Sequence, residues 1–288
     1  MGEFVLGLIK GGGLSTGEDL KQLPAELYTA EQVREMDRIA IEELGISGFS
    51  LMMQAGCVAF NLVECCYPTA RKLHVFCGSG NNGGDGFVVA SEALNKGFRV
   101  VVFLLGPVSS ITGDARLALD AYVLSGGAIK TPLLEPMTAC DVVIDALFGT
   151  GLSRSISGDY QRVIEQINHL GVPVIAIDIP SGLNADTGQP MGCAVVAQQT
   201  ITFIGLKVGM VTGQASSFCG NLFFSSLEIP AVVYDKCKPQ AWLTVNVSLP
   251  RRNRCAHKGD HGHVLLIGGD YGFCGAIRLA SEASVRAG

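Results

Sequence analysis

Between residues 73 and 179 the chain alternates four short apolar, β-branched runs (73–77, 99–105, 140–147, 172–179) with three longer amphipathic ones (85–96, 113–124, 158–170). That alternation leaves few folds open. Parallel neighbours need a crossover, and crossover helices cover both faces of the sheet they serve. The runs Val100-Val101-Val102-Phe103-Leu104-Leu105 and Val142-Val143-Ile144 are apolar without interruption, as strands buried on both sides must be. The expected fold is α/β: a doubly wound, mostly parallel Rossmann-like sheet with helices on both faces.

Upstream, Thr29 with Glu31 and Gln32 reads as a helix start, and Val33, Met36, Ile39, Ala40 and Leu44 then share a helical face until Gly45. A second helix is expected over 51–63, closed by Pro68. After Ile179 the helices fade, and 195–204 and 222–229 read as closing strands. The expected organisation is a leader over 1–24, poorly ordered and carrying Gly-Gly-Gly at 11–13, then a domain over 25–238, a basic linker over 239–262 and the start of a second domain over 263–288. That last stretch, His263 to Ile267 followed by a glycine loop and a helical run, repeats strand, loop and helix. It has no partner strands left, so it reads as the opening unit of a domain the chain does not complete.

A hydrophobic fraction of 48% over 288 residues supports a well-buried core, and a net charge of −5 gives no general attraction to nucleic acid or anionic membrane. A small-molecule partner is expected; the oligomeric state, including a homo-oligomer, stays open. No apolar run approaches 18 residues and residues 1–13 lack the pattern of a signal peptide, so a cytoplasmic chain is expected. The ten cysteines contain no Cys-x-x-Cys pair and read as reduced, mostly buried small hydrophobes.

The chemistry concentrates where strands end. Cys77-Gly78-Ser79-Gly80-Asn81-Asn82-Gly83-Gly84-Asp85-Gly86 follows a strand and precedes a helix, where backbone N–H groups face anions. Gly78, Gly80 and Gly83 match the dinucleotide pattern, but that pattern needs an acidic residue at the end of the next strand, which here reads Leu104-Leu105-Gly106-Pro107. An ordinary NAD-binding dehydrogenase is disfavoured; a structural Asn-Gly turn is the other reading of the loop. Asp145 ends the third run, before Gly149-Thr150-Gly151-Leu152-Ser153. Ile177-Asp178-Ile179-Pro180-Ser181-Gly182 ends the fourth. Each carboxylate alone reads equally as a loop cap. Together Asn82, Asp145, Asp178 and Ser181 form one rim of oxygen donors, suited to a hard, weakly charged cation. Tyr160 is either helix packing or a ring against a ligand. Cys255, His257, His261 and His263 have spacings that a zinc ion tolerates, though the segment reads better as an entry into the following strand.

The run Gly-Ser-Gly-Asn-Asn-Gly-Gly-Asp-Gly, then Asp-Ala-Leu-Phe-Gly-Thr-Gly, then Ile-Asp-Ile-Pro-Ser-Gly, resembles the NAD(P)H-hydrate epimerase family, the YjeF N-terminal domain, over about residues 29–237. The tail from His257 to Gly269 resembles the start of the ADP-dependent NAD(P)H-hydrate dehydratase domain, the order found in bifunctional repair enzymes. The resemblance implies an isomerase that interconverts the R and S hydrates of NADH and NADPH (NADHX and NADPHX), with a lyase activity in the complete protein. It implies that Asn81, Asn82, Gly83, Gly84 and Asp85 line the nucleotide, that Gly149, Thr150, Gly151, Leu152, Ser153, Arg154 and Ser155 wrap its phosphates, and that Tyr160 and Asp178 touch it. It also implies potassium on Asn82, Asp145 and Ser181, a dehydratase contact at Ala276, and ADP for the second half. Asp178 is the candidate acid/base. Two other readings are a nucleotide-binding interaction module and a ribokinase-like enzyme using ATP or ADP.

Overall fold

A computed structural model describes residues 23–132, 139–244 and 254–287. The chain divides into two compact units, residues 1–244 and 245–288. The expected leader lies, up to residue 22, outside the described residues.

In the first unit β1 (Glu26–Tyr28) leads into α1 (Ala30–Arg38). A capping box starts this helix: Gln32 N donates to Thr29 Oγ1 at 3.2 Å, and Thr29 N to Gln32 Oε1 at 2.9 Å. Ala30 N donates to the distant Asp186 Oδ1 at 2.7 Å, which ties the helix start to the body of the unit. Beyond Arg38 the helix widens into a π turn over Ile39–Glu43, and Gly45 ends it at φ 71°. Then comes α2 (Gly48–Cys66). It is long and apolar enough to cross a membrane, which corrects the expectation that no such segment exists. Its Leu51, Met52, Ala55, Ala59, Phe60 and Val63 are nevertheless buried in the core.

The alternation continues as β2 (Lys72–Cys77), α3 (Asn81–Asn95), β3 (Arg99–Leu104), α4 (Gly113–Leu124), β4 (Ile129–Lys130), β5 (Val142–Ala146), α5 (Asp159–His169) and β6 (Val174–Ile177). It closes with β7 (Gln199–Phe203), β8 (Leu206–Lys207), β9 (Asn221–Ser225), α6 (Ala231–Lys236) and β10 (Ala241–Trp242). Seven strands form one sheet in the order β4-β3-β2-β5-β6-β7-β9, every pair parallel. The chain builds outward from β2 in one direction, then returns to β5 and builds in the other. The carboxyl ends of β2 and β5 are thus the switch point, where open α/β sheets leave a crevice. Apolar side chains of α2, α3 and α4, among them Phe60, Phe87 and Tyr122, bury one face. Val163, Ile164 and Ile167 of α5, with Phe76 and Phe103, bury the other.

Three expectations change. The helix expected to start at Asp85 starts at Asn81, so much of the glycine loop is helical. Ala241 and Trp242, assigned to a linker, pair antiparallel with β1, whose other neighbour is β8. None of the cysteines forms a disulfide, but only Cys77, Cys219 and Cys237 are buried, while Cys65, Cys255 and Cys274 are exposed.

The second unit, in its described part, holds a 3₁₀ turn over Lys258–His261 and α7 (Gly275–Ala287). The expected strand over 263–267 is not formed, and Val264, Leu265 and Ile267 are exposed. Residues 245–253 of the expected linker lie outside the described residues.

None of the glycines at 78, 80, 83, 84 and 86 has a positive φ, so the loop does not need them for a left-handed turn. Space decides instead: a Cβ on Gly78 would stand 2.1 Å from the Leu147 carbonyl oxygen, whereas one on Gly80 meets nothing within 4 Å. Gly78→Ala should therefore destabilise the unit by about 1–3 kcal/mol in urea unfolding, while Gly80→Ala stays within about 0.5 kcal/mol. Equal effects of the two would refute this account.

Candidate functional site

A cavity of about 560 Å³ opens at the switch point. One wall is the start of α3, with Ser79, Gly80, Asn81, Asn82 and Asp85; a second is the loop after β5, from Leu147 to Arg154; Asp178, after β6, closes the floor beside Phe203 and Ile204. The α3 amides of the first turn lack helical acceptors, since the first helical bond is Gly84 N to Gly80 O at 3.1 Å.

Asp178 has φ 67°, a left-handed conformation that a non-glycine residue holds at a cost on the order of 1 kcal/mol. The surroundings impose it. Its N–H donates to Ile201 O at 2.7 Å, Thr150 N donates to its Oδ2 at 3.3 Å, and Lys207 Nζ is ion-paired to its Oδ1. Lys207 is fully buried and also donates to Thr202 Oγ1 at 2.7 Å and to Phe203 O at 3.4 Å, so all three ammonium protons are used.

Beneath the floor, Asp145 is fully buried. Ser181 N donates to its Oδ2 at 2.7 Å, Ser181 Oγ to its Oδ1 at 2.6 Å, and Leu147 N to Oδ1 at 3.3 Å. Burial pushes this carboxyl up to about 6, although those hydrogen bonds pull it down. Ser181 Oγ in turn accepts from Phe148 N at 2.8 Å, which anchors the β5 loop. Asn82 is also buried, and neither its Oδ1 nor its Nδ2 has a hydrogen-bond partner. Gly149 packs between Asn82 and Asp178: a Cβ there would lie 3.1 Å from Asp178 Oδ2 and 3.4 Å from the Asn82 Cβ.

The structure brings Asn81, Asn82, Asp85, Gly149, Thr150, Gly151, Leu152, Ser153, Arg154, Tyr160 and Asp178 onto one cavity, with Asp145 and Ser181 directly behind it. Gly83 and Gly84 do not line it. They are buried where a Cβ would strike the Gly78 carbonyl at 2.0 Å or the Met52 side chain at 2.6 Å, so they serve packing. Ser155 is exposed and off the lining, and Ala276 is exposed in the second unit. Tyr160 lines the cavity, packs on Phe148 at 4.7 Å between centroids, and donates to Leu105 O at 3.3 Å. Among the described residues no group of three His, Cys, Asp or Glu side chains converges on a metal position, and the His261 side chain lies outside them. His257 instead caps the turn at Lys258, accepting from Gly259 N at 3.2 Å.

The expected helix from Thr29 is formed, but its part in the site was not foreseen. Val33, Arg34, Asp37 and Ile41, one stripe of that helix and its π turn, form a further wall. Arg34 Nη1 donates to Thr150 O at 3.1 Å. Burial, with Asp178 nearby, pushes the Asp37 carboxyl up to about 6, and Lys207 opposes that rise. Burial and the same neighbours drive Asp85 well above the carboxylate range. The available signal was a carboxylate four residues from both Val33 and Ile41, with Arg34 one turn before it.

This is an α/β fold with its cavity at the switch point, and the chain belongs to the family of the YjeF-related protein N-terminus, whose model matches residues 48–209. It is 42% identical over 267 residues to the bifunctional NAD(P)H-hydrate repair enzyme Nnr of Coxiella burnetii, covering 91% of this chain and 54% of the relative. With the enzyme of the same name from Escherichia coli it shares 39% identity, covering 92% and 52%. The chain thus spans about half the length of these curated relatives. The crystal structure of yeast YNL200c superposes with a TM-score of 0.64 at 18% identity, covering 76% of this chain and 97% of that one, a likeness of fold.

A carboxyl whose folded value is raised binds its proton more tightly in the folded chain. Its contribution to stability is present at low pH and is lost as pH rises from the ordinary 3.8 through about 6. Asp37→Asn should remove that loss and make the protein about 1–2 kcal/mol more stable than the parent near pH 7, with no gain near pH 4. Urea unfolding at both pH values checks this; no gain at pH 7 contradicts it.

Proposed function

We propose that this chain epimerises the R and S forms of NAD(P)H hydrate. The observation that carries the reading is Asp178: a carboxylate in a left-handed backbone, ion-paired to a fully buried lysine and turned toward a cavity with an unpartnered amide on its wall. Family membership and the similarity to named repair enzymes support it.

The hydrate carries a hydroxyl on C6 of the nicotinamide ring, beside the ring nitrogen. Inversion follows when the hydroxyl leaves as water, C6 becomes planar and iminium-like, and water returns to the other face. The carboxylate of Asp178 takes and returns a proton and stabilises the cationic carbon. The first-turn amides of α3 and the exposed Arg34 and Arg154 receive the phosphates at the cavity edge.

The donor set of Asn82, Asp145 and Ser181 fits a potassium ion, because the buried Asn82 oxygen lacks a donor and the other two groups bring oxygens. When bound, the ion supplies positive charge that balances the phosphates and fixes the β5 loop. The residues themselves hold Phe148 N and Leu147 N in place through Ser181 and Asp145. Dehydration using ADP is proposed only for a complete protein resembling the relatives.

Purified R or S hydrate incubated with the chain should equilibrate, as followed by chiral separation, without ADP. Asp178→Ala should slow the reaction about 10²- to 10⁴-fold; a rate within about tenfold of the parent removes Asp178 as acid/base. Replacing potassium by a cation that does not coordinate should weaken substrate affinity, and unchanged affinity would remove the metal role.

A further inference from the structure

Inversion at C6 sets a demand that one carboxyl does not meet. The hydroxyl leaves from one face of the ring and water arrives at the other, so a ring held still in its pocket needs a proton-handling group on each side. Asp178 serves the wall at the end of β6. The cavity offers three further carboxyls, Asp37, Asp85 and Asp114, and no hydrogen bond from a described residue reaches any of them.

Building on the epimerase reading, we propose that Asp37 of α1 is a second catalytic residue, the group that exchanges a proton with the C6 oxygen on the face that Asp178 does not serve. A short chain of contacts joins its helix to Asp178. Arg34, one turn before Asp37, donates to Thr150 O at 3.1 Å, and Thr150 N donates to Asp178 Oδ2 at 3.3 Å, so one loop residue ties α1 to the floor carboxylate. Asp37, half-buried, lines the same cavity from a different element, between Val33 and Ile41. The groups that face it are Asp178 from the end of β6, Asp85 from α3 and Lys207 from β8. Arg34, Arg154 and Asp114 share the cavity.

The step balances. Asp37 gives its carboxyl proton to the C6 hydroxyl; the C6–O bond breaks and its electron pair leaves with the oxygen as water. The ring-nitrogen lone pair fills the vacancy at carbon. Water then adds from the opposite face and yields a proton to the Asp178 carboxylate. One water is lost and one gained, nothing is oxidised or reduced, and solvent returns the proton from one carboxyl to the other. The reverse reaction exchanges the roles, so Asp37 must be able both to give and to take back a proton. Asp37, pushed up to about 6, meets that requirement, whereas Asp85 is driven well above the carboxylate range and is a poor acceptor in the return direction.

The test uses the full chain with each purified hydrate isomer. Asp37→Asn should lower kcat about 10²- to 10⁴-fold in both directions with KM within about threefold, and the residual activity should lack the high-pH fall of the parent profile. Asp37→Glu should restore part of the rate and, with it, that fall. An Asp37→Asn rate within about threefold of the parent overturns the proposal, as does a lost rate with the high-pH fall retained. A lost rate caused by unfolding is recognised by circular dichroism; the Asp37→Glu profile then decides, and an unchanged profile overturns the role. An inactive parent sinks the epimerase reading itself, whereas an active parent with an indifferent Asp37→Asn sinks only Asp37.

Discussion

The carboxyl ends of β2 and β5 approach until no side chain fits between them, and the site is a consequence of that contact. A Cβ on Gly78 would stand 2.1 Å from the Leu147 carbonyl oxygen, and one on Gly83 2.0 Å from the carbonyl of Gly78. With both positions bare, α3 starts directly against the β5 loop, and Asn82 comes to lie beside Gly149, and Gly149 beside Asp178. Side chains at these positions would part the two strand ends and, with them, the amide, the loop and the carboxylate. The switch point of a doubly wound sheet supplies a crevice; here the glycines set how narrow it is.

Charge in this crevice is arranged against stability. Asp37, Asp85 and Asp178 share the cavity with Lys207 as the buried counter-charge. Desolvation and mutual repulsion raise Asp37 and Asp85, an unfavourable arrangement that a chain selected for folding alone would replace with apolar groups. The cations Arg34 and Arg154 are exposed at the edge. Acid within and base outside gives the cavity a direction, with positive charge at its edge and carboxyls further in.

The parallel sheet and the three strand-end motifs were legible because each is local: a buried parallel strand is a run of apolar residues, and the loop after it carries its own chemistry. What was not legible depended on distant partners. Asn81 to Gly84 read as loop because glycine weakens a helix, yet packing against Gly78 and Met52 keeps them helical. Lys207 gave no signal, since its partner Asp178 lies 29 residues away and two-residue β8 is too short to show a period. The same brevity hid β10. Residues 263–267 mark the opposite error, an apolar run that reads as a strand but lacks a neighbour to pair with among the described residues.

Helix α1 completes the cavity from outside the span that the family model matches. The family match begins at residue 48, after α1 and its π turn, so the matched span supplies the strand-end chemistry while the wall facing it comes from outside that span. Three contacts bring that wall into register: Asp186 on the helix start, Arg34 on the β5 loop, and the Gln32 side chain donating to Lys238 O at 2.7 Å. The π turn at Ile39–Glu43 widens the helix where it passes the cavity, a distortion that recurs at functional sites. A helix needed only to cover the sheet would end in a regular turn and present apolar residues alone. One that sets Arg34 at the cavity edge and Asp37 on its wall, and is tied down through Asp186, Lys238 and Thr150, is built to place those two groups.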